Sequence, residues 1–286
     1  MMGTTTDHQL AIDIGNTSVK AGVFRNGKLT GPVIRFTDQE WDVVDRLVTN
    51  LGVKNIIYST VANVPPTKWT DKWNQAGLLT LALSSKLPLP FTSLYETPAT
   101  LGQDRIAAVA GSLALSTSST PAPEKKMVPT QPKAISTISG LVSGTAPVES
   151  LPARLIVDAG TCITLDLIDG KGIYHGGNIS PGVRMRLQAM HVFTAQLPLI
   201  EQGDLFNEVG RSTEQALLHG GQFGAAYEVE GLFFRLRQTY PNLELILTGG
   251  DAELLAGLLS VPNVIYPNLV LRGLNQILSY YVQHQL

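Results

Sequence analysis

The stretch Leu10-Ala11-Ile12-Asp13-Ile14-Gly15-Asn16-Thr17-Ser18-Val19-Lys20 decides how the rest of the chain is read. Leu10 to Ile12 is an apolar run that reads as a buried strand, and Asp13 sits where that strand meets a turn. Gly15 permits the turn and lets backbone come close to a ligand. Asn16, Thr17 and Ser18 bring amide and hydroxyl groups, Lys20 brings a positive charge, and Val19 to Phe24 returns as a second strand. A strand, a carboxylate, a glycine turn and a second strand suit a metal-bound phosphate chain. Asp13 can orient Mg²⁺ or its waters while the turn grips the terminal phosphates. Taken alone, the same residues also describe an ordinary β-hairpin with Asp and Asn as turn formers.

The chain carries the pattern twice. Leu155-Ile156-Val157-Asp158-Ala159-Gly160-Thr161-Cys162-Ile163-Thr164-Leu165 repeats the carboxylate, glycine and hydroxyl one residue tighter. A third apolar strand, Leu245 to Thr248, ends in Gly249-Gly250 and runs into a helical pattern from Asp251 to Leu259. The three together resemble the two phosphate segments and the adenosine segment of the actin, hexokinase and Hsp70 superfamily. That resemblance implies an α/β fold of two ribonuclease-H-like halves with mixed sheets flanked by helices. It also implies an ATP cleft between the halves.

Bulk properties narrow the class. The 286 residues are enough for one large or two medium domains, and 44% hydrophobic residues can fill both cores. Charged residues make up 15% and the formal net charge is −2, without a long basic run, so neither nucleic acid nor an anionic membrane is an expected partner. A single cysteine excludes an intrachain disulfide and fits a reducing cytosol, so a cytoplasmic location is expected. Residues 1–9 lack the blocks of a signal peptide, and no apolar stretch has the length to span a bilayer.

The first half, residues 8–115, reads in order as strands, helix, strand, helix, strand. Leu29 to Phe36 is expected to be a third strand, Gln39 to Leu51 a helix ended by Gly52, Asn55 to Ser59 a strand, Thr67 to Leu78 a helix and Leu79 to Leu83 a strand. Crossover helices imply a mixed sheet. In Tyr95-Glu96-Thr97-Pro98-Ala99-Thr100-Leu101-Gly102-Gln103-Asp104-Arg105, the last residues open an Ala-rich helix. Asp104 is favourable there as a cap; alternatively, Asp104 and Arg105 face the cleft side by side. Residues 116–152 are rich in Ser, Thr, Pro and Ala and read as a flexible appendage between the halves.

The second half, residues 153–286, has a glycine-rich run from His175 to Gly182, read as a loop whose amides line an anion or substrate pocket, or as a simple tight turn. A helix follows from Val183 to Phe193. A long helix opens at Thr213 and carries Gly220, Gly221 and Gly224, which suit close helix packing. The last helix, Leu271 to Val282, is expected to pack back on a lobe. None of the five histidines has ligand spacing, so no zinc site is expected, and Cys162 is expected to be a buried thiol. Neither a Walker-A lysine motif nor a dinucleotide glycine fingerprint is present.

Four motifs in this order, Asp13-Ile14-Gly15-Asn16-Thr17, Gly102-Gln103-Asp104-Arg105, Asp158-Ala159-Gly160-Thr161 and Thr248-Gly249-Gly250, resemble those of the type III pantothenate kinases. Tyr95 upstream of the second and Pro181-Gly182 after the third add to the likeness. The resemblance implies ATP-dependent phosphorylation of pantothenate, with Mg²⁺ and a monovalent cation (K⁺ or NH4⁺), in a homodimer whose sites are completed by the partner subunit. It implies Asp104 as general base; Tyr95, Gly102, Gln103, Arg105 and Thr213 as substrate contacts; Asp13 to Lys20 and Thr161 on the ATP phosphates; Gly249 and Gly250 on the adenosine; and Asp158 at the monovalent cation. Two competitors stand beside it. One is another small-molecule kinase or phosphatase of the superfamily, and the other a non-catalytic regulator keeping the fold.

Overall fold

The computed structural model describes residues 7–15, 18–37, 39–60, 65–115, 151–204, 207 and 209–284. The 116–150 segment, Asn16 and Thr17 therefore lie outside the described residues, as do residues 61–64.

The first sheet is built from β1 (His8–Ile14), β2 (Val19–Arg25), β3 (Lys28–Leu29), β4 (Ile34–Phe36), β5 (Val53–Thr60) and β6 (Leu79–Ala82), with α1 (Asp42–Leu51) and α2 (Thr67–Gln75) as crossovers. Strand β2 is antiparallel to β1, and β5 and β6 continue parallel, in the order β3-β2-β1-β5-β6. The single strand expected over Leu29 to Phe36 is two short ones, β3 and β4, laid end to end along β2. The break carries Gly31 and Pro32, and proline has no N–H to give a ladder. Helix α1 ends on Gly52 at φ 60°, a left-handed cap whose N–H donates to the Val48 carbonyl.

The second sheet repeats that plan. Strands β7 (Thr92–Ser93), β8 (Arg154–Ala159), β9 (Cys162–Ile168), β10 (Ile173–Pro181), β11 (Glu244–Thr248) and β12 (Val264–Ile265) run in the order β12-β11-β8-β9-β10-β7. Strand β9 is antiparallel to β8, β10 antiparallel to β9, and β11 parallel to β8. Thus β8, β9, β10 and β11 stand where β1, β2, β4 and β5 stand in the first sheet. Helices α4 (Val183–Val192), α5 (Thr213–Arg237) and α6 (Ala252–Leu258) cover its outer face. The glycine-rich run from His175 to Pro181 is strand β10, not a loop. A Cβ on Gly177 would run into the Leu165 carbonyl, so glycine is what lets β10 press onto β9. Gly176, at φ +95°, falls at the register shift in that strand.

Between the sheets lie α3 (Gln103–Leu113) and α7 (Leu269–His284). Helix α3 is buried on every side from Arg105 to Ser112, so its apolar residues do not form one stripe. It crosses α7 at two glycines: a Cβ on Gly111 would meet the Leu269 carbonyl at 2.5 Å, and one on Gly273 would strike the Ala107 carbonyl. The backbones therefore touch. Ala11, Phe24 and Ile57 of the first sheet and Ile156, Ile168 and Ile246 of the second share one core with these helices. On the other face of the first sheet, Leu10, Ile12 and Ile14 pack with Trp41, Val44 and Trp73. The last helix packs on the first sheet, where Asn275 Nδ2 and Ser279 Oγ both donate to the buried Gln9 amide oxygen, at 2.5 and 3.0 Å.

Candidate active site

Alternation along β1 turns Leu10, Ile12 and Ile14 to the outer core and Ala11 and Asp13 to the inner face. Asp13 is in register with Lys20 on β2 and with Ser59 on β5, and Lys20 is in register with Arg35 on β4. Arg35, Lys20, Asp13 and Ser59 thus form one row across four strands. In the second sheet the matching row is Ile179, Thr164, Asp158 and Thr248. All of these residues but Ser59 and Ile179 line one cleft of about 450 Å³, which Asp104 also lines.

The cleft gathers nine of the expected residues, while Ile14 and Val19 turn into the outer core. Asp13, Gly15, Ser18, Lys20, Asp104, Asp158, Thr161, Gly249 and Gly250 all line it. Ser59 Oγ donates to Asp13 Oδ1 at 3.0 Å. Burial pushes the Asp13 carboxyl up; Lys20 and the Ser59 hydroxyl pull it back, and Asp104 adds to the rise. Burial, then the charge on Asp104, pushes Asp158 up to about 7, with Lys20 opposing. Three carboxylates facing one space in a low dielectric therefore leave the cleft short of positive charge. Among the described residues no group of three carboxylates, histidines or cysteines is close enough to cage a metal ion.

The turns that carry these residues are held by close packing. Gly249, at φ +97°, brings the strand end against β8, where a Cβ would stand 2.5 Å from Asp158 Oδ1. Gly182 donates its N–H to the Thr161 carbonyl, and a Cβ there would strike the Gly160 carbonyl. Gly15 does not adopt a left-handed φ, so close approach rather than backbone handedness is what favours glycine there. A Cβ on it would come 3.2 Å from the Ser18 carbonyl, which the Gly15 N–H already reaches at 3.1 Å. Cys162 is exposed and lines the cleft, where the expectation was a buried thiol. It is the first residue of β9, at the open end of the sheet, and alternation buries Ile163 in its place.

Gly102 caps α3 and leaves room beside it: a Cβ would sit 2.5 Å from Asp104 Oδ1. That oxygen accepts the Arg105 N–H at 2.9 Å, which fixes the carboxylate at the helix start. The Gln103 amide oxygen accepts the Thr60 N–H at 2.7 Å, tying the same helix start to the end of β5. Arg105 does not lie open beside Asp104. It is 3% exposed, and its Nε and Nη2 grip Asp166 at 3.0 and 2.7 Å. Tyr174 completes the buried set, donating its hydroxyl to Asp166 at 2.7 Å and accepting from Arg105 Nη2 at 3.0 Å. Burial holds the Asp166 carboxyl above its ordinary value, and the paired Arg105 guanidinium and the Tyr174 hydroxyl oppose that rise. Tyr95 stacks on Tyr174 and lies under the Arg105 guanidinium, 5.5 Å from its ring centre.

Thr213, the first residue of α5, is exposed and is not among the residues lining the cleft. Its neighbour Ser212 is the cap, accepting the Gln215 N–H. Asp166, Tyr174, Ser59 and Arg35 were not singled out from the sequence. Asp166 alone left a signal there, as the one charge in the apolar run from Ile163 to Ile168.

A family model described as type III pantothenate kinase matches residues 9–121 and 141–235. A protein of that name from Bacteroides fragilis is 35% identical over 275 residues, covering 95% of this chain and 97% of its own. Another from Phocaeicola vulgatus is 35% identical over 273 residues, covering 95% and 98%. Among solved structures, a protein described as a Baf family transcriptional activator from Campylobacter jejuni has the same fold. Its TM-score is 0.50 at 21% identity, with 95% and 98% of the two chains covered.

Proposed function

Because the chain belongs to the type III pantothenate kinase family, we propose that it transfers the γ-phosphoryl group of ATP to the terminal hydroxyl of pantothenate, the first step toward coenzyme A. The observation that carries this reading is Asp104. A carboxylate fixed at a helix start stands in the same cleft as two strand-end carboxylates, one from each half.

In this reading Asp104 orients the substrate hydroxyl and takes its proton late. A loose phosphoryl transition state needs little early deprotonation, which suits a weak base. The 13–20 segment and Thr161 hold the phosphate chain, and Gly249 and Gly250 leave room for the adenosine. Mg²⁺ fits as an ion carried on the phosphates, with Asp13 reached through water, since the described carboxylates do not form a cage of their own. Bound there, it would offset charge on the transferring group. Asp158, crowded by Asp104 and Asp13, is the residue best served by a monovalent cation such as K⁺.

In this reading Arg105, locked in place by Asp166 and Tyr174 and lying over Tyr95, holds the pantothenate carboxylate. Tyr95 walls the same pocket, and Gln103 serves as a brace. A homodimer is supported by large apolar side chains left exposed on neighbouring elements: Ile179 on β10, Phe193 at 85% just after α4, and Tyr227 and Phe234 on α5. Gly220 on the same helix has open space where a Cβ would go, whereas Gly221 packs on Leu187 of α4. Thr213 would reach a substrate pocket from the partner subunit.

The test is a substrate panel. Purified protein with Mg²⁺, K⁺ and ATP should form ADP when given pantothenate and not when given acetate or a hexose, with a phosphomonoester product by phosphorus NMR. Turnover of acetate or a sugar in preference to pantothenate would replace this reading with that of another superfamily kinase.

A further inference from the structure

We propose that Arg35 is a ligand of the donor's phosphate chain, closing on it from the opposite side to the loop at 160–161. The proposal deepens the kinase reading and rests on it for the identity of the donor.

Three observations lead there. First, Arg35 lines the cleft, and its register partner is Lys20. Side chains directly opposite on antiparallel strands share a face, with backbones about 5 Å apart. Their neighbours confirm which face: Val19 and Phe36, and Ala21 and Ile34, pack together in the outer core, so Lys20 and Arg35 point the other way. Farther along that face, Gly22 and Phe24 lie beneath α7, which begins only at Leu269. The two cations stand past the end of that cover, beside the helix N-terminus.

Second, like charges directly opposite on a sheet destabilise it. Among the described residues, neither Arg35 nor Lys20 has a carboxylate within ion-pair distance. Lys20 is at least drawn toward Asp13 and Asp158, whereas what Arg35 brings to this pair is repulsion. An anion bridging the two cations would turn repulsion into attraction, and an arginine fork suits the oxygens of a phosphate.

Third, the repeated topology supplies an internal control. The position matching Lys20 in the second half is Thr164, and that matching Arg35 is Ile179. The rows agree in their carboxylate and hydroxyl positions and differ at these two. Among the described residues lining the cleft, the lysine and the arginine both stand on the first-half wall, so the phosphate chain is drawn to that half. A nucleoside triphosphate approaching three carboxylates needs that compensation in addition to its metal.

The experiment is nucleotide binding by calorimetry, with Mg²⁺ present and pantothenate absent. Arg35→Gln should weaken ATP and inorganic tripolyphosphate by about tenfold or more, as expected for losing one charge-assisted hydrogen bond. Adenosine binding should not change, and Arg35→Lys should recover part of the loss. In steady state the KM for ATP should rise while the KM for pantothenate stays the same. Without ligand, Arg35→Gln should melt at the same temperature as wild type or higher, because it removes a repulsion. A solvated surface arginine predicts equal ATP affinity in both proteins; that result overturns the assignment and leaves the kinase reading standing. A wild-type protein that binds neither ATP nor tripolyphosphate would bring down both.

Discussion

Replacing Asp166 by Ala tests the account of the substrate pocket most directly. The wild-type carboxylate is fully buried and takes three hydrogen bonds of 3.0 Å or less, two from Arg105 and one from Tyr174. Removing it leaves a guanidinium that is 3% exposed with no counter-ion, and the phenol loses its acceptor. Breaking one partner of a buried ion pair costs about 3–5 kcal/mol. For a chain of this size each kcal/mol lowers Tm by about 2–4 °C, so the melt should fall by about 6–20 °C. Asp166→Asn should cost less, since its amide oxygen can still accept one of the Arg105 bonds. The freed Arg105 is also expected to wander from its place over Tyr95, raising the KM for pantothenate while the affinity for ATP holds. Thermal unfolding read by circular dichroism, paired with steady-state kinetics, checks both parts. A variant that melts within 2 °C of wild type with an unchanged KM would refute the claim that this pair positions Arg105.

Asp104→Asn should lower kcat by about 10²–10⁴-fold, the usual loss of a general base, with ATP binding kept; a near-normal kcat would remove Asp104 from that role. Asp158, held near 7 against an ordinary 3.8, costs the folded state nothing below about pH 4 and an increasing amount as pH rises toward 7. About three units at about 1.4 kcal/mol each bounds the effect at about 4 kcal/mol. In cation-free buffer, Asp158→Asn should therefore gain stability relative to wild type at pH 8 but not at pH 4, and an equal difference at both would contradict it. Gly182→Ala places a Cβ against the Gly160 and Thr161 carbonyls, both backbone and unable to swing away. It should reduce activity by displacing the phosphate loop, and a variant with wild-type KM for ATP and wild-type Tm would show that the contact is slack.

The strand-end carboxylates were legible because each is a charge that ends an apolar β-branched run, and that break survives in the sequence whatever the tertiary packing. The repeated strand-turn-strand unit carried the superfamily resemblance, and that resemblance implied two sheets of like topology. The misreadings have local causes. Residues 175–182 hold enough glycine and proline to look like a loop, yet Gly177 is there because the next strand leaves no space for a Cβ. The break between β3 and β4 was visible as Gly31-Pro32 but was read through. Cys162 does share the inner face with Thr164, but at the start of β9 that face borders the open cleft rather than a core. The Arg105 pair could not be read at all, since its partners lie 61 and 69 residues away and meet it only when the second sheet closes on α3.

The crossing of α3 and α7 has a consequence for how the molecule could be divided. The helix that covers the inner face of the first sheet is the last in the chain, and the helix at the end of the first half lies against both sheets. Cut within the 116–150 segment, the chain would give one piece with a bare apolar sheet and another with a bare apolar helix. Neither piece could bury its own surface, but together they would restore every contact described here. Such fragments should be insoluble or unfolded when made separately and should assemble when co-expressed. Reassembly would turn on Gly111 and Gly273, where the two helix backbones touch.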